Sequence, residues 1–217
     1  MRYNQSTRTA TLTRKGTPVH TRLLVATGNA HKLGEYAQLL NMPTLTLVSL
    51  RDVGINADAP EDGTTFAANA LQKAHYYAAH SGLPTLADDS GIVVDALGGA
   101  PGVYSARYGT PDLDDSGRRR LLLANINALG SVNRSARFVC VIALVLPDGR
   151  AFQTQGICEG HIADHEAGEG GFGYDPIFWL PERQCTIAQL SAAEKNAISH
   201  RGQASRAMQR ILQQLAM

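Results

Sequence analysis

Apolar residues along this chain recur in two rhythms, and the changes from one to the other mark out its elements. Residues 22–27 (RLLVAT) are a β-rich apolar run that stops at Gly28-Asn29, after which Leu33, Tyr36, Ala37 and Leu40 fall on one stripe of a helix over 31–40. Residues 45–50 predict a second strand, and a polar loop rich in Asp, Gly and Pro follows over 51–63. Thr64 or Thr65 is placed to cap a helix reaching about His80. Its inward positions are Phe66, Ala70, Ala74 and Tyr77, and Ser81-Gly82 is its stop.

Two short strands, 83–87 and 92–97, flank the polar knot Asp88-Asp89-Ser90-Gly91, which places the acids at strand ends, and residues 98–102 (GGAPG) must turn. Leu113, Leu121, Leu122 and Ile126 recur at helical spacing within 112–129. Residues 137–146 and 151–162 predict two long strands joined at Pro147-Asp148-Gly149 as an antiparallel hairpin. A glycine-rich loop covers 168–176, and the chain from 192 onward is mostly helical with a break around 199–202. Strands alternating with helices, together with a long hairpin, predict an α/β fold built on a long mixed sheet. In such folds ligands gather at the loops that leave strand ends.

Composition narrows the function classes. With 217 residues, 18% charged and 44% hydrophobic, the chain is long enough for one domain, or two lobes around a shared cleft, and is neither fibrous nor disordered in character. The formal charge of +1 hides an asymmetry: residues 1–22 carry Arg2, Arg8, Arg14, Lys15 and Arg22 and no acid, leaving 15 basic against 19 acidic residues beyond them. A mildly acidic body offers duplex nucleic acid no basic face on which to displace counterions, so no nucleic-acid partner is expected. The longest apolar run, 138–146, is far shorter than the roughly 20 residues a membrane-spanning helix needs. Cys140, Cys158 and Cys185 are odd in number and form no C-x-x-C pair, which suits a reducing, cytoplasmic setting. Residues 1–21 share the acid-free, Arg- and Thr-rich composition of organelle transit peptides. They show no apolar helical face, and we read them as a disordered extension ahead of a catalytic domain over 22–217.

Five clusters could carry chemistry. Thr27, Gly28, Asn29, Ala30, His31 and Lys32 join a buried strand to a helix start, where unpaired amides and the helix dipole favour an anion. No Walker A pattern is present, and an ordinary turn with Asn29 in a left-handed conformation fits the same residues. Asp88 and Asp89 are harder to explain without a ligand. Two adjacent carboxylates after an apolar strand repel each other unless a cation neutralises them, and Mg2+, which takes one or two carboxylates plus substrate phosphates, is the natural one. Glu61-Asp62 could supply a further ligand or be a solvated capping acid.

Residues 168–173 match G-x-G-x-x-G, but Tyr174-Asp175-Pro176 follows where a dinucleotide site needs a helix. Phe172 and Tyr174 beside Asp175 suit stacking on a base and hydrogen bonding to its edge, or else plain core packing. Lys195, His200 and Arg201 gather at the C-terminal helical break, as a site for phosphate or a polar base or as a solvated face. There is no H-E-x-x-H and no G-x-S-x-G elbow.

Five segments appear in a familiar order: ATGNAHKLGE (26–35), EDGTTFAANALQKA (61–74), LADDSGIVVDALGGAPGVYSARYG (86–109), GGFGYDPIF (170–178) and SAAEKNAISHRGQA (191–204). From Arg22 onward the chain closely resembles the inosine triphosphate pyrophosphatase family. The resemblance implies hydrolysis between the α and β phosphates of ITP, dITP and XTP, giving monophosphate and pyrophosphate. It also implies a homodimer with each active site in a cleft between two lobes. At matching positions it implies that Thr27 to Lys32 bind the triphosphate, with Lys32 taking part in catalysis. Glu61 and Asp89 would hold magnesium, with Asp89 as general base, Asp88 in support and Ser90 touching substrate. Phe172, Gly173, Tyr174, Asp175, Lys195, His200 and Arg201 would form the base pocket, with Glu35 near the metal.

Overall fold

The computed structural model describes residues 21–130 and 132–217, so the expected extension over 1–20 lies outside the described residues. Thr21, assigned to that extension from the sequence, instead begins the first strand and pairs with Leu45. The main elements are β1 (Thr21–Val25), α1 (Ala30–Leu39), β2 (Leu45–Ser49), α2 (Phe66–Ser81), β3 (Thr85–Val94), α3 (Asp115–Asn127), β4 (Ser135–Val145) and β5 (Ala151–Ile162). Two short strands follow, β6 (Phe178–Leu180) and β7 (Cys185–Thr186), and then α4 (Ala192–Ile198) and α5 (His200–Gln214). The seven strands form one sheet in the order β2-β1-β3-β4-β5-β6-β7. β1 pairs in parallel with β2 and β3, and every later pairing is antiparallel, so the α/β reading with a long mixed sheet holds.

Most boundaries follow from local chemistry. Thr65, not Thr64, caps α2 by accepting from the Ala68 amide at 3.1 Å, and Gly82 ends it in the left-handed region at φ 67°. Asp114 caps α3 by accepting from the Gly117 amide at 2.7 Å, so Leu113, expected inside that helix, precedes it. The break at 199–202 narrows to Ser199 alone, which ends α4 and whose hydroxyl accepts from Gly202 N to start α5.

One element overturns the sequence reading. The polar knot at 88–91 does not separate two strands. β3 runs unbroken from Thr85 to Val94, with Asp88 opposite Ile142 and Asp89 opposite Val141 of β4. The acids therefore sit in the middle of a central strand, where only neutralising partners make them tolerable.

Alternation along β3 and β4 sorts side chains onto two faces. One face carries Leu86, Cys140, Ile142 and Leu144 and packs against Tyr36 of α1, Leu40 just past its end, and Ala204, Met208 and Leu212 of α5. Ala87, Val141, Ala143 and Val145 take the other face, against Ala70, Ala74 and Tyr77 of α2. Further along, Ile92, Val94, Ala136 and Phe138 meet Leu122 and Ile126 of α3. Each large aliphatic side chain buried in these clusters contributes roughly 1.5–3 kcal/mol. At Gly156 of β5, a Cβ would collide with the His200 carbonyl and the Ala204 amide, so the bare backbone lets the start of α5 lie directly on the sheet.

Candidate active site

The sheet, α1, α2, α3 and the α4–α5 junction surround a cleft of about 490 Å³. Thr27, Gly28, Asn29, Lys32, Glu61, Asp88, Asp89, Ser90, Phe172, Gly173, Tyr174, Asp175, Lys195, His200 and Arg201 all line it. Ala30 and His31 stand at the same helix start. Residues more than 170 positions apart in sequence thus converge on one cavity.

At one end lies the β1–α1 turn. Asn29 is extended at φ −86°, not left-handed, because it is the N-cap of α1, and its Oδ1 accepts from the amides of His31 (2.9 Å) and Lys32 (3.1 Å). Thr27 Oγ1 accepts from the Asn29 amide. The cradle therefore has fewer free amides than the sequence suggested, leaving those of Gly28 and Ala30 together with the helix dipole and Lys32.

Strand alternation divides the acidic pair. Asp88 points to the α1–α5 face, 2.9 Å from Lys32 Nζ and 3.5 Å from Arg201 Nη2. Burial would raise its pKa, but Lys32, Arg201 and Lys73 outweigh burial and hold it well below the usual carboxylate range. Asp89 points to the α2 face. Its Oδ2 accepts from Asn69 Nδ2 at 2.9 Å, and its Oδ1 from the Ser90 amide at 3.0 Å. Here burial prevails over the attraction of Lys73 and the pKa is raised, the direction that suits a proton acceptor.

Glu61 stands across from Asp89, with Lys73 Nζ between them at 2.8 Å from Glu61 and 3.8 Å from Asp89. An ammonium between two carboxylates marks a place where a cation is electrostatically favoured. Among the described residues no group of three or more His, Cys, Asp or Glu is arranged to hold a metal alone. Two carboxylates are the protein complement expected of a magnesium ion that shares its remaining positions with phosphate and water. Asp62 bonds to Gln72 on the outside of α2 instead.

The opposite end is aromatic and more deeply buried. Lys195 Nζ lies 2.7 Å from both Glu35 and Asp175, and Arg201 reaches Glu35 at 2.6 Å and the Ser90 hydroxyl at 2.8 Å. Glu35 thus pairs with the cations of this end. Burial raises its pKa, yet Arg201 and Lys195 pull it below the usual carboxylate range. Phe172 sits above these cations, 4.6 Å from Lys195 Nζ and 5.6 Å from the Arg201 guanidinium. The His31 ring stacks on Phe172 at 5.2 Å and 11°, so the two ends of the cleft touch through one aromatic pair.

Tyr174 is turned into the core and donates to the Ser105 carbonyl, and Asp175 accepts from the Phe172 amide and from Lys195. Both brace the loop that presents Phe172. His200 stacks on Phe138 at 4.7 Å, and burial followed by the nearby cations Arg201 and Lys195 keeps it neutral, well below its usual pKa. Its Nδ1 and Arg201 Nε are buried at this end without a hydrogen-bond partner among the described residues.

Asn69 and Lys73 were not singled out from the sequence. They lie within EDGTTFAANALQKA at i and i+4, one position ahead of the inward alanines 70 and 74, and both are buried. Two polar residues interleaved with the apolar stripe of a helix were the available signal. Ser105 and Asp115 also line the cleft and carried no comparable sign.

A model of the Ham1 family matches residues 23–211. A dITP/XTP pyrophosphatase of Geobacter sulfurreducens is 48% identical over 184 residues, covering 85% of this chain and 92% of the relative. The dITP/XTP pyrophosphatase of Shigella flexneri is 46% identical over 185 residues, with 84% and 93% covered. A solved structure described as a HAM1 protein from Coxiella burnetii is similar with a TM-score of 0.83 at 40% identity, covering 89% of this chain and 99% of that one. The matched span takes in both ends of the cleft, and the chain belongs to the Ham1 family.

Proposed function

We propose that this protein hydrolyses the deaminated purine nucleoside triphosphates ITP, dITP and XTP to the monophosphate and pyrophosphate. The observation that carries the reading is a single cleft with a cation- and carboxylate-lined end and an aromatic, polar end, sized for one nucleotide. The names of the relatives agree with it.

In this reading the triphosphate lies along the Gly28 and Ala30 amides with Lys32 and Lys73 offsetting its charge, and the base lies by Phe172. Glu61 and Asp89 would hold Mg2+, which when bound would lower the pKa of water and shield the phosphates. Asn69 and the Ser90 amide fix the Asp89 carboxylate, so it is oriented to accept the proton of the attacking water. Phosphoryl transfer asks little covalent work of a protein, so positioning and charge neutralisation account for most of the acceleration. Asp88, locked as an anion between Lys32 and Arg201, keeps both cations in place.

Neutral His200 and Arg201, which both line the cleft, provide polar groups for the 6-oxo edge of hypoxanthine or xanthine. A 6-amino base would leave such a group unpaired, which discriminates against ATP. Among the described residues no helix is long and apolar enough to cross a membrane, and we place the enzyme in the cytoplasm as a homodimer.

Pyrophosphate release from dITP, XTP, ITP, ATP and GTP, with and without Mg2+, tests the proposal. Fast, magnesium-dependent release from the first three is expected. Orthophosphate as product would indicate a general triphosphatase, and binding without turnover a regulatory nucleotide-binding module.

A further inference from the structure

Both backbone polar groups of Gly173 are held by α3, a helix outside the five motifs described above. The Gly173 amide donates to Asp115 Oδ2 at 3.1 Å, and its carbonyl accepts from Arg119 Nη1 at 2.8 Å. Asp115 and Arg119 stand four residues apart, in the first two turns of α3, and so project from the same face. Arg119 is itself fixed, since its Nη2 lies 2.9 Å from Glu166 Oε2 on the approach to the same loop.

Gly173 adopts φ +59°, and a Cβ there would meet nothing within 4 Å. Glycine is needed for the backbone conformation, not for room. A left-handed peptide next to Phe172 sets the direction in which the ring is presented, and no side chain at 173 helps to hold it. On the other flank the Phe172 amide is tied to Asp175. The ring position is therefore fixed from both sides by backbone bonds, one side of which belongs to α3.

We propose that Asp115 and Arg119 are positioning residues that clamp the Gly173 peptide and so hold Phe172 in register with the base. The inference rests on the base-stacking role given to Phe172 above. Arg119 does not line the cleft, so its effect on a nucleotide passes through the loop. Loss of its charge-assisted bond frees the loop and weakens contacts to the base while leaving those to phosphate intact.

The experiment compares the full chain with Arg119→Ala, Arg119→Lys, Asp115→Ala and Asp115→Asn. For Arg119→Ala, KM for dITP is expected to rise on the order of tenfold, the scale of one lost hydrogen bond, with kcat little changed. Inhibition by inorganic pyrophosphate, which has no base, should be unaltered, and the two conservative variants should recover most of the affinity. Hydrogen exchange, which needs no turnover, should speed up at the Gly173 amide in Asp115→Ala and stay slow in the β4 amides. An unchanged KM for dITP, a pyrophosphate inhibition constant that shifts by the same factor, or a Gly173 amide as slow in Asp115→Ala as in the parent would each overturn the proposal. If the parent chain itself released no pyrophosphate from dITP, the proposed function would fail, and the exchange measurement would still decide the clamp.

Discussion

The two ends of the cleft use the same residue types for opposite purposes. At the proposed phosphate end Lys73 lies between Glu61, whose side chain is 37% exposed, and Asp89, so its pairings can be exchanged for those of the proposed metal and triphosphate. At the proposed base end Lys195 and Arg201 are 6% and 1% exposed and paired with Glu35, Asp175, Asp88 and Ser90. Charges at the first end wait for a ligand. Charges at the second are already neutralised by each other and act as a rigid wall. Exposed pairs contribute little to stability, whereas breaking a buried pair leaves an uncompensated ion.

This contrast can be broken by experiment. The largest effect is expected at Asp89: Asp89→Asn should lower kcat by on the order of 10²–10⁴-fold, the usual contribution of a general base, with nucleotide binding retained. Near-normal pyrophosphate release by that variant would remove Asp89 from the base role. Next is Arg201→Ala, which takes one of the two paired cations from each of Asp88 and Glu35 and should cost about 3–5 kcal/mol in urea denaturation. If that variant lost activity equally on ITP and ATP, Arg201 would have no part in selectivity.

A smaller, pH-dependent effect belongs to His200. It is kept neutral when folded and takes up a proton once unfolded, so the unfolded chain binds more protons below about pH 6.5. Stability present above that pH should fall as acid is added, by up to roughly 1.4 kcal/mol per unit. A His200→Gln variant should show a flatter acid limb in thermal melts between pH 6.5 and 5. The smallest change is expected for Lys73→Ala, about 1–2 kcal/mol, because Asn69 and the Ser90 amide still hold Asp89. A loss as large as that of Arg201→Ala would erase the distinction between the two ends.

Local periodicity made much of the fold legible. Tyr36 of α1 and Leu40 at its end, Ala70, Ala74 and Tyr77 of α2 and the hairpin at 147–149 sit where their spacing places them. The sequence misled where charge was compensated from far away. Asp88 and Asp89 read as a loop because a polar pair normally ends a strand, and their partners Lys32, Lys73 and Arg201 come from three separate helices. β6 and β7 are too short to show a period, and β7 has only two residues. Site residues within the five motifs could be found by their chemistry and resemblance. Asp115 and Arg119 could not, since a backbone peptide is what they hold and a backbone leaves no mark in a sequence.

The unbroken course of β3 has a consequence for how its gene can vary. Because neighbouring strand positions face opposite ways, the assignment of Asp88 to one helix layer and Asp89 to the other depends on counting residues from Thr85. Substitutions at the apolar positions of this stretch should be absorbed one at a time. A single codon inserted or deleted between 85 and 88 would exchange the two carboxylates in one step, leaving the composition of the site nearly the same and its wiring reversed.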